Sequence, residues 1–227
     1  MEVQPTVFYI IAIVAIIAVM LILINRKLVK FDPLSKPKGI VLVVMMAAEM
    51  VDKMVKEKTD DKAAKFLTPY ILTVAVYIFL SNIAGLLAFE SPTSNYSVTL
   101  TLAAITCFLI EYYSIKANGI KSYMKSLAEP MAPFIIMNLI SKASTLLSLS
   151  LRLFGNITAG TVLMGVIYQL FAKVSAMIPL FTNFNFFGVL VTPVLHFYFD
   201  LFSGAMQAYI FITLTLSFIG KELPKEQ

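Results

Sequence analysis

Seven small or polar residues between positions 141 and 159 recur at steps of three and four: Ser141, Thr145, Ser148, Arg152, Gly155, Asn156 and Ala159. At helical pitch they form one stripe, centred on Arg152. The stripe runs through Pro133 to Ile178, 46 mainly apolar residues. A guanidinium stays ionised at any relevant pH and costs at least about 2.5 kcal/mol near the middle of a membrane helix, so Arg152 must face water or a carboxylate. A second stripe lies further along, where His196, Asp200, Ser203 and Gln207 follow steps of four, three and four, with Gly204 beside them. An acid inside an apolar run is a functional candidate, and the neighbouring imidazole and amide are groups that hand on or solvate a proton. Two plainer readings stand beside this one. Serine and threonine stripes also serve close helix packing, and an Arg152 to Asp200 ion pair would merely fix two helices together. Lys142 sits near enough to a helix end to extend its charge to the interface. Glu111, beside Tyr112 and Tyr113, reads as interfacial.

The elements that must position these groups follow from composition. Of 227 residues, 59% are hydrophobic and 14% charged, with a mean hydropathy of +0.86. An ordinary soluble domain carries roughly 25% charged residues, so the class is an integral membrane protein. Its length suffices for five or six spanning helices of about 20 residues each in a single membrane domain. The net charge of +5 comes from lysines clustered beside apolar runs, which speaks for membrane topology and against nucleic acid. The single cysteine, Cys107, lies in an apolar segment; it forms no internal disulfide or cysteine metal site and is expected to be a packing residue.

Residues 7–24 form a first span of 18 uncharged residues, followed by Arg26, Lys27 and Lys30. This pattern predicts a retained anchor with the N-terminus outside, rather than a cleaved leader. Across residues 40–58, Val43, Met46, Met50, Met54 and Val55 occupy one helical face and Glu49, Asp52, Lys53, Lys56 and Glu57 the other. Glu49/Lys53 and Asp52/Lys56 are spaced as i,i+4 pairs, so this segment reads as an amphipathic helix on the cytoplasmic surface. Spans follow at 66–89 and 98–115, joined by the turn-rich loop Glu90 to Asn95, which lacks Lys and Arg and so belongs outside. Lys116, Lys121 and Lys125 return the chain to the cytoplasm. The last two segments, 133–178 and 184–219, would be about 69 Å and about 54 Å long as continuous helices at 1.5 Å per residue. Both exceed the hydrocarbon thickness of about 30 Å, which predicts a steeply tilted hairpin. The fold class is therefore all-α, with about five membrane-embedded helices and one surface helix.

Ser148-Leu149-Ser150-Leu151-Arg152-Leu153-Phe154-Gly155-Asn156, followed by Ala159-Gly160, resembles the signature of subunit a of the F-type ATP synthase, and Gln207-Ala208-Tyr209-Ile210-Phe211 resembles the motif of its last helix. The likeness covers residues 66 onward in span order and about 129 to 220 in motifs. What the resemblance implies is a bacterial plasma-membrane stator that faces a rotating ring of proteolipid c subunits and supplies two half-channels for an ion, expected to be the proton. It also implies a peripheral-stalk b subunit and other ATP synthase subunits as partners, no cofactor, and ATP chemistry carried out elsewhere in the complex. Arg152 corresponds to the stator arginine, Asn156 and Gln207 to its polar neighbours, and Asp200 to a position that many members fill with Glu or His. His196 and Ser203 join the translocation set, with Thr161, Ser148 and Glu111 as half-channel candidates. Thr161 stands where relatives often place Glu or His, and Asn138, Ser141 and Lys142 occupy a stretch that often includes an acid. The access path is thus expected to lean on Asp200 and His196.

A secondary transporter of a small solute would show internal repeats with Gly- or Pro-broken spans in both halves; the polar groups here crowd into the last two segments. No phosphate loop, metal-ligand cluster or nucleophile-base spacing suggests an enzyme. The charge pattern yields a topology test. A thiol probe that cannot cross the membrane should reach a cysteine placed at position 94 from outside and one at position 121 only from inside, and the reverse pattern would overturn the arrangement.

Overall fold

A computed structural model describes residues 5–31, 36–87, 91–129, 131, 133–178 and 184–222. Glu90 of the expected turn lies outside them. Among the described residues all regular structure is helical, without strands, as hydrocarbon requires of an open chain: only a helix satisfies every backbone group within its own segment. The helices are α1 (Pro5–Val29), α2 (Ile40–Lys56), α3 (Asp61–Ile83), α4 (Tyr96–Asn118), α5 (Ile120–Leu127), α6 (Phe134–Ala176), α7 (Phe186–His196) and α8 (Ser203–Glu222). A π-helical segment, Phe197–Phe202, joins α7 to α8 without a break, so among the described residues five helices are long and apolar enough to span a membrane.

Helix α1 is apolar on nearly every side, exposes most of its large side chains, and carries Arg26 and Lys27 in its last turn. Helix α2 instead turns Val51 and Val55 into the core, Val55 being 0% exposed. Of its two expected ion pairs only Asp52–Lys56 closes, at 2.7 Å. The Thr68 hydroxyl on α3 also donates to Asp52, at 3.0 Å. The hydrogen bonds from Lys56 and then Thr68 hold the Asp52 carboxyl below its ordinary value.

The core is built by α3, α4 and α8. One cluster joins Val55, Leu67, Ile71, Ile110, Leu216 and Ile219. A second joins Val74, Ile78, Ala103 and Phe211 with Leu149 and Leu153 of α6. These two leucines, each 1% exposed, fix how α6 is rotated about its axis. At 43 residues, α6 measures about 65 Å, so it fits a bilayer only when it runs obliquely.

The turn 91–95 is held from inside. Ser91 donates to the Ser81 carbonyl at 2.7 Å, Thr93 donates to Asn82 Oδ1 at 3.1 Å, and Asn82 Nδ2 donates to the Gly204 carbonyl at 3.4 Å. This chain of bonds ties the end of α3, the loop and the start of α8 together. Gly204 is required for it, since a Cβ there would stand 2.8 Å from Asn82 Cβ. Gly204→Ala should therefore destabilise the fold by about 1–3 kcal/mol through overpacking, whereas Gly155→Ala, with nothing within 4 Å of its added carbon, should not. Thermal unfolding in detergent compares them, and equal melting temperatures would contradict this account.

Candidate functional site

Because Leu149, Ser150 and Leu153 are buried, Arg152 is directed away from the core and is only partly buried. Among the described residues Asp52 is partnered by Lys56, Glu111 by Lys142 and Asp200 by His196, and Arg152 has no carboxylate partner. The Arg152 to Asp200 pair considered from sequence does not form. Asp200 is taken by His196 instead, with Nδ1 2.6 Å from Oδ2.

The two polar stripes do meet. Ser203 Oγ donates to Asn156 Oδ1 at 3.0 Å, linking α8 to α6 one turn beyond Arg152. Gln207 lies a turn further along α8 at 5% exposure, and its Nε2 is buried without an acceptor among the described residues. A buried donor left unpaired costs about 1–3 kcal/mol.

Asp200 and His196 belong to a longer chain of groups. The Tyr168 hydroxyl lies 2.8 Å from His196 Nε2. With the ring neutral, Nδ1 donates to Asp200 while Nε2 accepts from Tyr168. The π-helical segment places Asp200 against Gly85, in the 3-10 turn Ala84–Leu87 that follows α3: a Cβ there would lie 3.6 Å from the carboxyl, in ordinary contact. Pro193 lies one turn before this segment, where its missing N–H already interrupts the hydrogen-bond ladder. Single wide turns of this kind occur often at functional sites.

These groups line a cavity of about 600 Å³, whose walls include Asn82, Ser94, Asn156, Thr161, Tyr168, His196 and Asp200. Thr161 thus lies in the cavity, donating at 3.0 Å to the Ile157 carbonyl. A second polar cavity of about 400 Å³ occupies the opposite end of the bundle, lined by Cys107, Glu111, Ser126, Asn138, Ser141, Lys142, Thr145 and Glu222. Glu111 lies in its wall, and Lys142 does not simply reach for the interface: its ammonium pairs with Glu111, at 2.5 Å from Oε2 and 2.7 Å from Oε1. Cys107 packs against the second core cluster and also borders this cavity. Along α6, Thr145 touches one cavity and Asn156 the other, and Arg152 stands between them. Ser148 is exposed on the same length of helix and lines neither.

Tyr168 was missed from sequence although a signal exists: it follows Thr161 by seven residues, two helical turns on the same face. Tyr123, which donates to Glu111 Oε2 at 2.7 Å, carries no such signal, since it reaches the site from a separate short helix.

The family model described as ATP synthase A chain matches residues 6–220. The chain is similar to the ATP synthase subunit a of Oceanobacillus iheyensis, 31% identical over 84% of this chain and 80% of the relative. It is likewise similar to subunit a of Priestia megaterium, at 32% over 84% and 81%, and to that of Bacillus subtilis, at 28% over 94% and 89%. With the matched region spanning nearly all its helices, the chain belongs to the ATP synthase subunit a family.

Proposed function

We propose that this chain is the proton-translocating stator of an F-type ATP synthase in a bacterial plasma membrane. Arg152 and its polar neighbours face a rotating ring of proteolipid c subunits, and the two cavities serve as half-channels. The observation that carries the reading is Arg152 itself, a permanent cation without a carboxylate partner among the described residues, set on one helix between two polar cavities that lie toward opposite ends of the bundle. A charge so placed is stable only if a carboxylate or water is brought to it. A ring carboxylate buried in the membrane favours its neutral, protonated form. At about 4 Å from a guanidinium, with an effective dielectric of about 20, the attraction is on the order of 4 kcal/mol. That is roughly a thousandfold in proton affinity, enough to release the proton into the adjoining cavity. The same positive charge blocks direct passage between the cavities.

The larger cavity, lined by Tyr168, His196 and Asp200, is the outer half-channel, and the smaller one, bordered by Glu111, is the inner. The basic residues Lys116, Lys121, Lys125 and Lys221 lie at the inner cavity's end of the bundle, which supports a cytoplasmic position for it and an outside N-terminus. ATP chemistry falls to other subunits, and a peripheral-stalk b subunit would hold this chain against the torque of the ring.

Asp200→Asn keeps the shape of the side chain but removes the acid from the hydrogen-bonded chain, so proton flux should fall while the complex stays assembled. Unchanged flux would reduce Asp200 to a structural residue. Arg152→Ala should abolish ATP-driven proton pumping in membrane vesicles, and Arg152→Lys should restore little of it, because an ammonium lacks the planar fork and loses its proton more readily when buried. Pumping at the unmodified rate in an assembled Arg152→Ala complex would sink the mechanism.

A further inference from the structure

The inner cavity has a charge arrangement that the proposed mechanism leaves unused. Glu111 of α4 is enclosed by donors: Lys142 of α6 approaches both carboxylate oxygens, at 2.7 and 2.5 Å, and Tyr123 of α5 donates to Oε2 at 2.7 Å. The ammonium also lies 4.7 Å from the centre of the Tyr123 ring. Asn138 holds α5 in place by donating to the carbonyls of Leu127, at 2.8 Å, and Glu129, at 3.2 Å. The other acid of this wall, Glu222, accepts from Ser114 at 2.5 Å, and Lys221 stands over the Phe218 ring.

We propose that Lys142 makes the inner cavity selective, excluding metal cations while leaving a route for protons. This rests on reading the cavity as the inner half-channel. A carboxylate in a roomy polar cavity is the oxygen ligand that hard cations such as Na⁺ and K⁺ seek, and in the cytoplasm those ions vastly outnumber protons. Lys142 approaches both oxygens of Glu111 and cancels its charge, so this carboxylate offers a metal ion neither a free ligand nor a net charge. A proton needs no ligand cage; it passes along water and hydroxyls such as Ser126, Ser141 and Thr145, which line the same space. Lys142 precedes Arg152 by ten residues on α6, about 15 Å along the helix, so cations are turned away before they reach the arginine.

Cys107 borders this cavity and is the only cysteine of the chain, which makes it a native reporter. In inverted membrane vesicles holding the complete complex, the modification of Cys107 by a cationic and an anionic methanethiosulfonate of similar size is followed by the mass of this chain. Lys142→Gln should raise the cation-to-anion rate ratio by about fivefold to tenfold, the effect of one unit charge at about 7 Å in a water-like dielectric. Lys142→Arg should leave the ratio at its unmodified value. Should Lys142→Gln fail to assemble, Glu111→Gln removes the opposite charge and should move the ratio the other way. An unchanged ratio in an assembled Lys142→Gln complex, or the same rise in Lys142→Arg, would overturn the proposal and leave the half-channel intact. Failure of both reagents to reach Cys107 in unmodified vesicles would overturn the inner half-channel itself, and this inference with it.

Discussion

An ionised guanidinium in a hydrocarbon environment is the constraint around which the rest of this molecule is arranged. Burying a charge is costly unless it is paired or wet, and the chain resolves that cost differently for each of its intramembrane charges. Glu111 is closed off by Lys142 and Tyr123, and Asp200 by His196. Arg152 has no carboxylate partner among the described residues. Its orientation is set by neighbours that have no chemistry of their own: Leu149 and Leu153 lock into the core and leave the intervening residue no choice of face. The precision of the site therefore comes from apolar packing, which resists rotation because protein interiors are close-packed.

The larger cavity depends on irregular backbone. Within a bilayer, departures from regular helix are tolerated where the freed groups line a polar space or are buried in protein. Both irregular segments here meet that condition. The π-helical segment Phe197–Phe202 carries Asp200 toward the cavity, and the loop around Thr93 closes its end through hydrogen bonds to Asn82 and Ser81. Asn82 belongs to both arrangements, bonding Gly204 and Thr93 while lining the cavity. A change there would be felt by the packing of α3 on α8 and by the lining of the cavity together.

The helices divide their labour according to what they bury. Helices α3, α4 and α8 share the core, while α1 is apolar on almost every side and contributes little to it. A helix of that kind is stable only in lipid or against other membrane helices. Helix α6 combines the two situations: Leu149 and Leu153 enter the core, while Leu147, Leu151, Val162 and Val166 remain exposed. Under the proposed function the exposed side of α6 that carries Arg152 meets the ring, so the same helix is anchored on one face and offers a working surface on another.

Much of this was legible in the sequence because hydropathy and helical period act locally. Uncharged runs of 18 or more residues require spans whatever surrounds them, and the steps of four that align Ser148, Arg152 and Asn156 hold for any helix. Asp200 and His196 could be placed on one face for the same reason, since they are four residues apart. What periodicity cannot supply is the partner across a gap. Arg152 and Asp200 have opposite charges on neighbouring helices, yet the π-helical segment and Tyr168 assign Asp200 to His196. Lys142 was legible as a charge near a helix end, but its bond to Glu111 joins residues 31 apart on two different helices, with Tyr123 of a third helix bonding the same carboxylate. The same holds for Cys107, whose apolar neighbours suggested packing alone and whose position beside the inner cavity depends on how α4, α6 and α8 converge. The sequence by itself determined which residues lie in the membrane and which share a helix face. Only the tertiary structure decided which of them touch, because a contact between helices depends on their relative rotation and offset, and those are fixed by packing among residues far apart in the chain.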